Sequence, residues 1–316
     1  TFKKNMPDTE VIVGDITDDK TKDRIITESK LKGVNMIIGG PPCQGFSMKG
    51  KKLGLNDPRN FLFMEYLNLV QEIQPEVFVI ENVKSLLNTA GGWFKDEILN
   101  YIHKLGYKVQ YGVLNAKKFG VPQARERAIF ICSKHKDITL PKGTESIVTV
   151  RDAISDLAYL QSAEGEFEQE YITAPETEYQ KFMRKGSKHL YNHKASAHSE
   201  KALEKLAMIP AEKGKECLPE ELWGKQKFNT TWGRLVWDEV SPTIDTRFDT
   251  PSNGTNSHPE LNRAITPREA ARIQSFDDNF VFYGSKFYIR SQIGNAVPPL
   301  LAEAIADRIW EMYRNE

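Results

Sequence analysis

The stretch Met36-Ile37-Ile38-Gly39-Gly40-Pro41-Pro42-Cys43-Gln44-Gly45-Phe46-Ser47 decides the fold of this chain. The short apolar run at its start is typical of a strand. Two glycines then allow the backbone to turn tightly, and two prolines stiffen the loop that follows. Because glycine and proline fill a core poorly but shape a loop well, the pattern predicts that Cys43 is presented on a rigid loop at the end of a strand.

On both sides of this loop, predicted strands alternate with predicted helices. Short apolar runs predict strands at residues 11–13, 36–39, 77–81, 107–114 and 128–133. Helical spacing of apolar residues predicts helices at residues 60–74, 93–105, 266–274 and 298–313. Such alternation is typical of an α/β fold, in which a mostly parallel sheet is covered by helices on both faces. Ligands bind such sheets at the carboxyl ends of the strands.

The composition excludes several classes of protein. The 316 residues include 43 basic and 43 acidic side chains, so no basic coat covers the whole chain, although a local basic face is still allowed. Three cysteines, none of them at CxxC spacing, favour neither a disulfide framework nor a structural zinc site. No apolar run approaches the roughly 20 residues that span a bilayer. We therefore expect a cytoplasmic protein without a membrane segment and without a metal.

Residues 181–234 differ from the rest in charge. They contain 12 lysines and arginines against 6 glutamates, and tryptophans lie among the cations, for example Trp223 and Trp232. Cations interleaved with aromatic residues suit a surface that binds phosphates and bases. A solvated, variable insert would have the same composition, so both interpretations stay open at this point.

Six short motifs carry a resemblance to a known family. The chain resembles the C5-cytosine DNA methyltransferases, whose signature blocks are matched in order by Gly14-Asp15-Ile16, Pro42-Cys43, Glu81-Asn82-Val83, Gln123-Ala124-Arg125-Glu126-Arg127, residues 266–272 and residues 294–299. The resemblance implies a Rossmann-like, S-adenosylmethionine-dependent methyltransferase sheet and a small target-recognition domain rich in loops and β-structure. The implied boundaries are 1–165 and 263–316 for the catalytic domain and 166–262 for target recognition.

The resemblance also implies a chemistry. Cytosine C5 is a poor nucleophile, so a thiolate, here Cys43, first adds to C6 and makes the ring electron-rich. Glu81 would contact N3 and the exocyclic amine, while Arg127 and Arg125 would anchor the ring carbonyl. Because C5 and C6 are stacked inside a duplex, the base must first be rotated out of the helix.

Further site residues follow from the same resemblance. The implied cofactor-binding residues are Asp15 and Ile16 at the adenine, with Pro42, Leu62, Asn295 and Val297 completing the pocket. The implied DNA-binding residues are Gln44, Ser47 and Lys49 near the nucleophile and Arg234, Thr243 and Arg247 in the recognition region.

One element of the family pattern is missing. The family's Phe-x-Gly-x-Gly-Gly loop, which cradles the methionine part of the cofactor, does not precede Asp15, so we expect the first strand and helix of the fold to be absent from this sequence. The leading hypothesis is a monomeric enzyme that methylates double-stranded DNA, of bacterial or phage modification type, with a cognate restriction endonuclease as a candidate partner. One alternative is a tRNA cytosine methyltransferase, and another is a DNA-binding relative that lacks catalysis. The intact Cys43, Glu81 and Arg127 set speaks against the second alternative.

Overall fold

A computed structural model describes residues 1–42, 61–224 and 230–314 of the chain. Its main sheet has four strands in the order β1-β2-β4-β3. The strands are β1 (Met36–Gly39), β2 (Val77–Val83), β3 (Lys108–Asn115) and β4 (Glu126–Ser133). Cys43, the predicted nucleophile, lies outside the described residues, as do Gln44, Ser47 and Lys49.

The strands pair in two different ways. β1 and β2 are parallel, whereas β4 is antiparallel to both β2 and β3. Parallel neighbours need a long crossover, which a helix provides between β1 and β2. The described sheet is therefore mixed, and the prediction of a mostly parallel sheet is wrong in this respect. The strand predicted at residues 11–13 is also wrong, since that segment pairs with no strand in the described part of the chain and Val13 is 89% exposed.

Helices cover the sheet and build the remainder of the chain. The α-helices of the described residues are α1 (Phe2–Asn5), α2 (Asp19–Leu31), α3 (Phe61–Ile73), α4 (Trp93–Lys104), α5 (Val150–Ile154), α6 (Glu178–Arg184), α7 (Glu200–Met208), α8 (Pro267–Ile273), α9 (Lys286–Asn295) and α10 (Pro299–Arg314). The short strands β5 (Glu168–Gln169), β6 (Leu190–Tyr191), β7 (Gly233–Arg234) and β8 (Thr255–Ser257) form two small sheets. No helix in these described ranges is long and apolar enough to cross a membrane.

Side chains along each strand point alternately to the two faces of the sheet, and each face packs against different helices. Phe78 on β2 and Phe130 on β4 point into a core that they share with side chains of α3 and α4. On the opposite face, Val77 of β2 lines a cavity of about 370 Å³ together with Ile309 and Trp310 of α10. The α/β class with helices on both faces is thus confirmed.

Contacts divide the chain into two compact units. One unit contains residues 1–9, 116–125 and 143–303, and the other contains residues 10–115, 126–142 and 304–316. These units group residues by contact, whereas the domain boundaries predicted from the motifs group them by function. The motif-based boundaries therefore stay a prediction.

Candidate active site

An ion pair lies on the strands β2 and β4. Arg127 Nε donates to Glu81 Oε1 at 2.7 Å, and the two side chains are only 14% and 20% exposed. Antiparallel pairing sets Val83 opposite Arg127, which places the arginine within reach of Glu81. Burial lowers the pKa of Arg127, and the Glu81 carboxylate opposes that shift. The pair therefore holds a carboxylate in a fixed orientation in a partly dehydrated place.

The Gly-Gly-Pro-Pro loop runs directly beside this carboxylate. Because β1 and β2 are parallel, their carboxyl ends lie at the same edge of the sheet, with Gly39 opposite Ile80. A Cβ atom on Gly40 would lie 2.8 Å from Glu81 Oε2, so only glycine allows this approach. The structure thus brings the start of the predicted nucleophile loop to the predicted acid.

Two residues beside this loop were not assigned a role from the sequence. Asn82 donates from Nδ2 to the backbone carbonyl of Pro41 at 2.9 Å in a buried hydrogen bond. Tyr66 of α3 donates from its hydroxyl to Val79 O at 2.9 Å, and its ring fills the space beside Gly39. Asn82 stands inside the Glu81-Asn82-Val83 motif, which was a usable signal, whereas Tyr66 is part of an ordinary amphipathic helix pattern.

The predicted adenine-contacting residues lie in the same compact unit as Glu81. Asp15 is exposed, and its Oδ1 accepts hydrogen bonds from the Thr17 amide at 2.9 Å and the Thr17 hydroxyl at 2.8 Å. These bonds lower the pKa of Asp15 and fix a charged turn. Ile16 and Leu62 are half-buried and Pro42 is exposed. Asn295, which is exposed, and Val297, which is half-buried, belong to the other unit.

The two arginines of residues 123–127 have different surroundings. Arg127 pairs with Glu81, whereas Arg125 is 2% exposed and donates to Ile244 O at 3.0 Å and Gly294 O at 2.9 Å. These two contacts tie Arg125 to backbone carbonyls. A side chain this buried and bound does not fit the predicted contact with the target base.

The predicted DNA-binding residues of the recognition region divide into exposed and buried ones. Thr243 and Arg247 are exposed, and Thr243 Oγ1 donates to Ala124 O at 3.0 Å. Arg234 does not fit the prediction, because it is 4% exposed. Its guanidinium donates to the backbone carbonyls of Leu206, Ile209, His258 and Leu261 and to the side chain of Asn262. A buried guanidinium surrounded by carbonyls holds loops together, and no surface of it is left for DNA.

Part of the cationic and aromatic segment is likewise core. Trp232 packs in a small cluster with Leu206, Ile209 and Leu218. The mixed composition of residues 181–234 thus arises partly from a local hydrophobic core, which the sequence could not separate from an exposed stacking surface.

Known proteins match the chain closely. The sequence profile of the C-5 cytosine-specific DNA methylase family matches residues 1–311. The type II methyltransferase M1.HphI of Haemophilus parahaemolyticus is 37% identical over 326 residues, which cover 100% of this chain and 78% of that protein. The type II methyltransferase M.DdeI of Desulfomicrobium norvegicum is 38% identical over 344 residues, covering 100% of this chain and 81% of the relative.

A solved structure agrees with these matches. A protein described as a DNA modification methyltransferase encoded within an Escherichia coli prophage superposes with a TM-score of 0.76 at 25% identity, covering 99% of this chain and 89% of that one. Fold and site thus define an α/β methyltransferase, a class that uses S-adenosylmethionine in general. Within that class, the chain belongs to the C-5 cytosine-specific DNA methylase family and is a DNA cytosine-C5 methyltransferase.

Proposed function

We propose that this protein transfers a methyl group from S-adenosylmethionine to C5 of a cytosine within a specific duplex DNA sequence, as the modification enzyme of a type II restriction–modification system. The observation that carries the proposal is the Glu81–Arg127 pair, which lies beside the loop leading to Cys43. The relatives M1.HphI and M.DdeI, both named type II methyltransferases, support the modification role.

Each reacting group has a defined task in this proposal. The Cys43 thiolate adds to C6 of the flipped cytosine, so the S–C6 bond forms, the C5–C6 π electrons shift to the C4–C5 bond and the C4–N3 π electrons shift to N3. Glu81, in its protonated form, donates a proton to N3, where negative charge would otherwise develop, and Arg127 fixes the orientation of the Glu81 carboxyl group. C5 would then take the methyl group of the donor, which leaves as S-adenosylhomocysteine, and N3 would return its proton to Glu81. C5 loses its own proton to a base that we leave unassigned, and the electron pair of that C–H bond restores C5=C6 as the S–C6 bond breaks and the Cys43 thiolate leaves.

The residues described by the structure fit the donor in chemical character. S-adenosylmethionine, when bound, supplies an electrophilic methyl group. Asp15, held charged by Thr17, is an acceptor for an exocyclic amine, and the half-buried Ile16 and Leu62 offer aliphatic surface for a purine. Pro42, Asn295 and Val297 are proposed as further cofactor contacts.

For the DNA, the proposal assigns base or phosphate contacts to Thr243 and Arg247, which are both exposed. Gln44, Ser47 and Lys49 are proposed to contact DNA next to the flipped base. Direct readout of the sequence depends on side chains that reach base edges, while cations on the phosphates add affinity.

The test is methyl transfer with labelled S-adenosylmethionine to duplex DNA, single-stranded DNA and tRNA. We expect label in duplex DNA, at cytosines of one sequence context, and none with Cys43→Ala. Glu81→Gln should lower kcat at least about 100-fold, because the proton donor is lost, while DNA binding is kept.

A matched control is Glu126→Gln, which neutralises a half-buried carboxylate on β4 that pairs with Lys84 and should leave activity near wild type. Label only in tRNA would contradict the proposal. Duplex binding without any methyl transfer would indicate a DNA-binding relative without catalysis, and label at cytosines of every context would contradict a modification enzyme of defined specificity.

A further inference from the structure

The side chain of Arg125 joins two segments that are far apart in sequence. Its Nη1 donates to Ile244 O at 3.0 Å and its Nη2 to Gly294 O at 2.9 Å, and the residue is nearly fully buried. Ile244 follows Thr243, the proposed DNA contact, and Gly294 precedes Asn295, the proposed cofactor contact. One rigid guanidinium fork therefore sets the spacing of a recognition loop and a cofactor turn.

Gln123 makes a second link between the same segments. Its Oε1 accepts the Ile244 amide at 2.8 Å, and its Nε2 donates to Gln274 Oε1 at 2.8 Å. Gln274 in turn donates from Nε2 to Ile293 O at 2.7 Å. Both glutamines are fully buried, so each broken bond would leave an unsatisfied polar group.

The two segments also touch directly, backbone to backbone. A Cβ atom on Gly294 would lie 2.5 Å from the carbonyl carbon of Asp245 and 2.6 Å from the Thr246 amide nitrogen. Because the two backbones are already in tight contact, one segment cannot move towards the other without displacing it.

We propose that Arg125 and Gln123 are positioning residues that couple DNA recognition at Thr243 to cofactor binding at Asn295 and Val297. The inference rests on the proposed function, since it takes the DNA and cofactor roles of these segments from there. DNA that stabilises one arrangement of the recognition loop also stabilises the matching arrangement of the cofactor turn. The coupling is reciprocal, so the cofactor strengthens DNA binding by the same factor.

The test measures the dissociation constant of S-adenosylhomocysteine with and without a duplex that carries the methylated site. For the wild-type enzyme we expect DNA to tighten binding by a factor between about 5 and 150, the usual range for coupled sites. In Arg125→Lys a single ammonium cannot bridge both carbonyls, so we expect this factor to fall towards 1 and the KM for S-adenosylmethionine at saturating DNA to rise.

The matched control is Arg234→Lys. Arg234 is also a buried arginine that donates to carbonyls in the same unit, but its partners lie outside both segments. We expect Arg234→Lys to lower Tm about as much as Arg125→Lys and to keep the wild-type coupling factor. A wild-type factor in Arg125→Lys, or an equal loss in both variants, would show that Arg125 is merely structural.

Amide hydrogen exchange on the wild-type enzyme tests the same idea if Arg125→Lys does not fold. DNA should slow exchange at residues 294–296, and S-adenosylhomocysteine should slow exchange at residues 244–246. Unchanged exchange in both directions would overturn the positioning role. An enzyme that binds neither ligand would instead overturn the proposed function, so the two failures are distinguishable.

Discussion

Because Gly40 has no side chain, its backbone can lie directly beside the Glu81 carboxylate. A Cβ atom there would approach Glu81 Oε2 to 2.8 Å, which is closer than real Cβ contacts allow. The carboxylate has little freedom to retreat, because Arg127 holds its other oxygen at 2.7 Å. The loop is equally fixed, because Asn82 holds Pro41 O at 2.9 Å.

We therefore expect Gly40→Ala to lower kcat by about 100-fold, the size of effect that a displacement of roughly 1 Å at reacting groups produces. DNA affinity should stay close to wild type, since the change affects the proposed acid and nucleophile rather than the DNA contacts. Steady-state kinetics and a DNA-binding titration measure the two effects. Gly254→Ala is the control, because its Cβ would meet its nearest neighbour at an ordinary 3.4 Å. Equal activity of both variants would contradict the close approach.

At the scale of elements, the seven-residue helix α8 is held by charges rather than by its own hydrogen bonds. A helix this short is unstable alone. Thr266 caps it in a reciprocal pair with Glu269, and Glu269 also accepts two hydrogen bonds of 2.7 Å from Arg263. Arg272 pairs with Asp156 and Asp278, both at full burial. Both ion pairs of Arg272 lie inside the protein, so this side chain has a structural role.

Glu269→Gln should destabilise the protein by about 3–5 kcal/mol, the usual cost of leaving one partner of a buried ion pair without its counter-charge. In the wild-type protein Arg263 helps to lower the pKa of Glu269 to about 2, so Glu269 is charged. In the variant Arg263 would keep its own charge inside the core without this partner. Urea unfolding at pH 7.5 measures the free energy of unfolding. Glu303→Gln, an exposed glutamate on α10, serves as the control and should stay within about 0.5 kcal/mol. A loss below about 1 kcal/mol for Glu269→Gln would show that α8 does not depend on this pair.

At the scale of the whole molecule, two buried histidines make stability depend on pH. His193 shares a 3.0 Å hydrogen bond with Thr266, and His258 Nδ1 accepts the amides of Glu260 and Leu261. Burial lowers the pKa of both to about 3. In the unfolded chain a histidine binds a proton below about pH 6.5. Their contribution is therefore complete above about pH 6.5 and is lost as the pH falls towards 3.

When the pH is lowered from 7.5 to 5.5, each such histidine should lower the free energy of unfolding by about 1.4 kcal/mol, because only the unfolded state gains a proton there. Glu269 has its unfolded pKa near 4.5 and contributes little in this window. We expect the free energy of unfolding to fall by at least about 3 kcal/mol in the wild-type protein. It should fall by much less in the double variant His193→Gln, His258→Gln, in which only the half-buried His198, whose pKa burial also lowers, still contributes. His135→Gln, at an exposed position, should behave as wild type. If the free energy of unfolding of the wild-type protein does not change between pH 7.5 and pH 5.5, the two histidines are not buried in their neutral form.

Local sequence patterns determined several elements to within a residue or two. The strand at Met36–Gly39 and the helices Phe61–Ile73 and Trp93–Lys104 follow from apolar spacing over neighbouring residues, which the chain carries wherever it folds. Glu81 and Arg127 were singled out by short motifs of the family resemblance, and their roles at the target base stay a prediction.

Only the tertiary structure decided how these pieces meet. It placed β4 antiparallel between β2 and β3, left residues 11–13 without a partner strand among the residues it describes, and buried Arg234. It also gave Arg125 two carbonyl partners that lie more than a hundred residues further along the chain. Strand pairing and burial depend on contacts between distant segments, and no local pattern records them. The sequence could therefore supply the reacting groups, while the fold determined which of them meet and which hold the others in place.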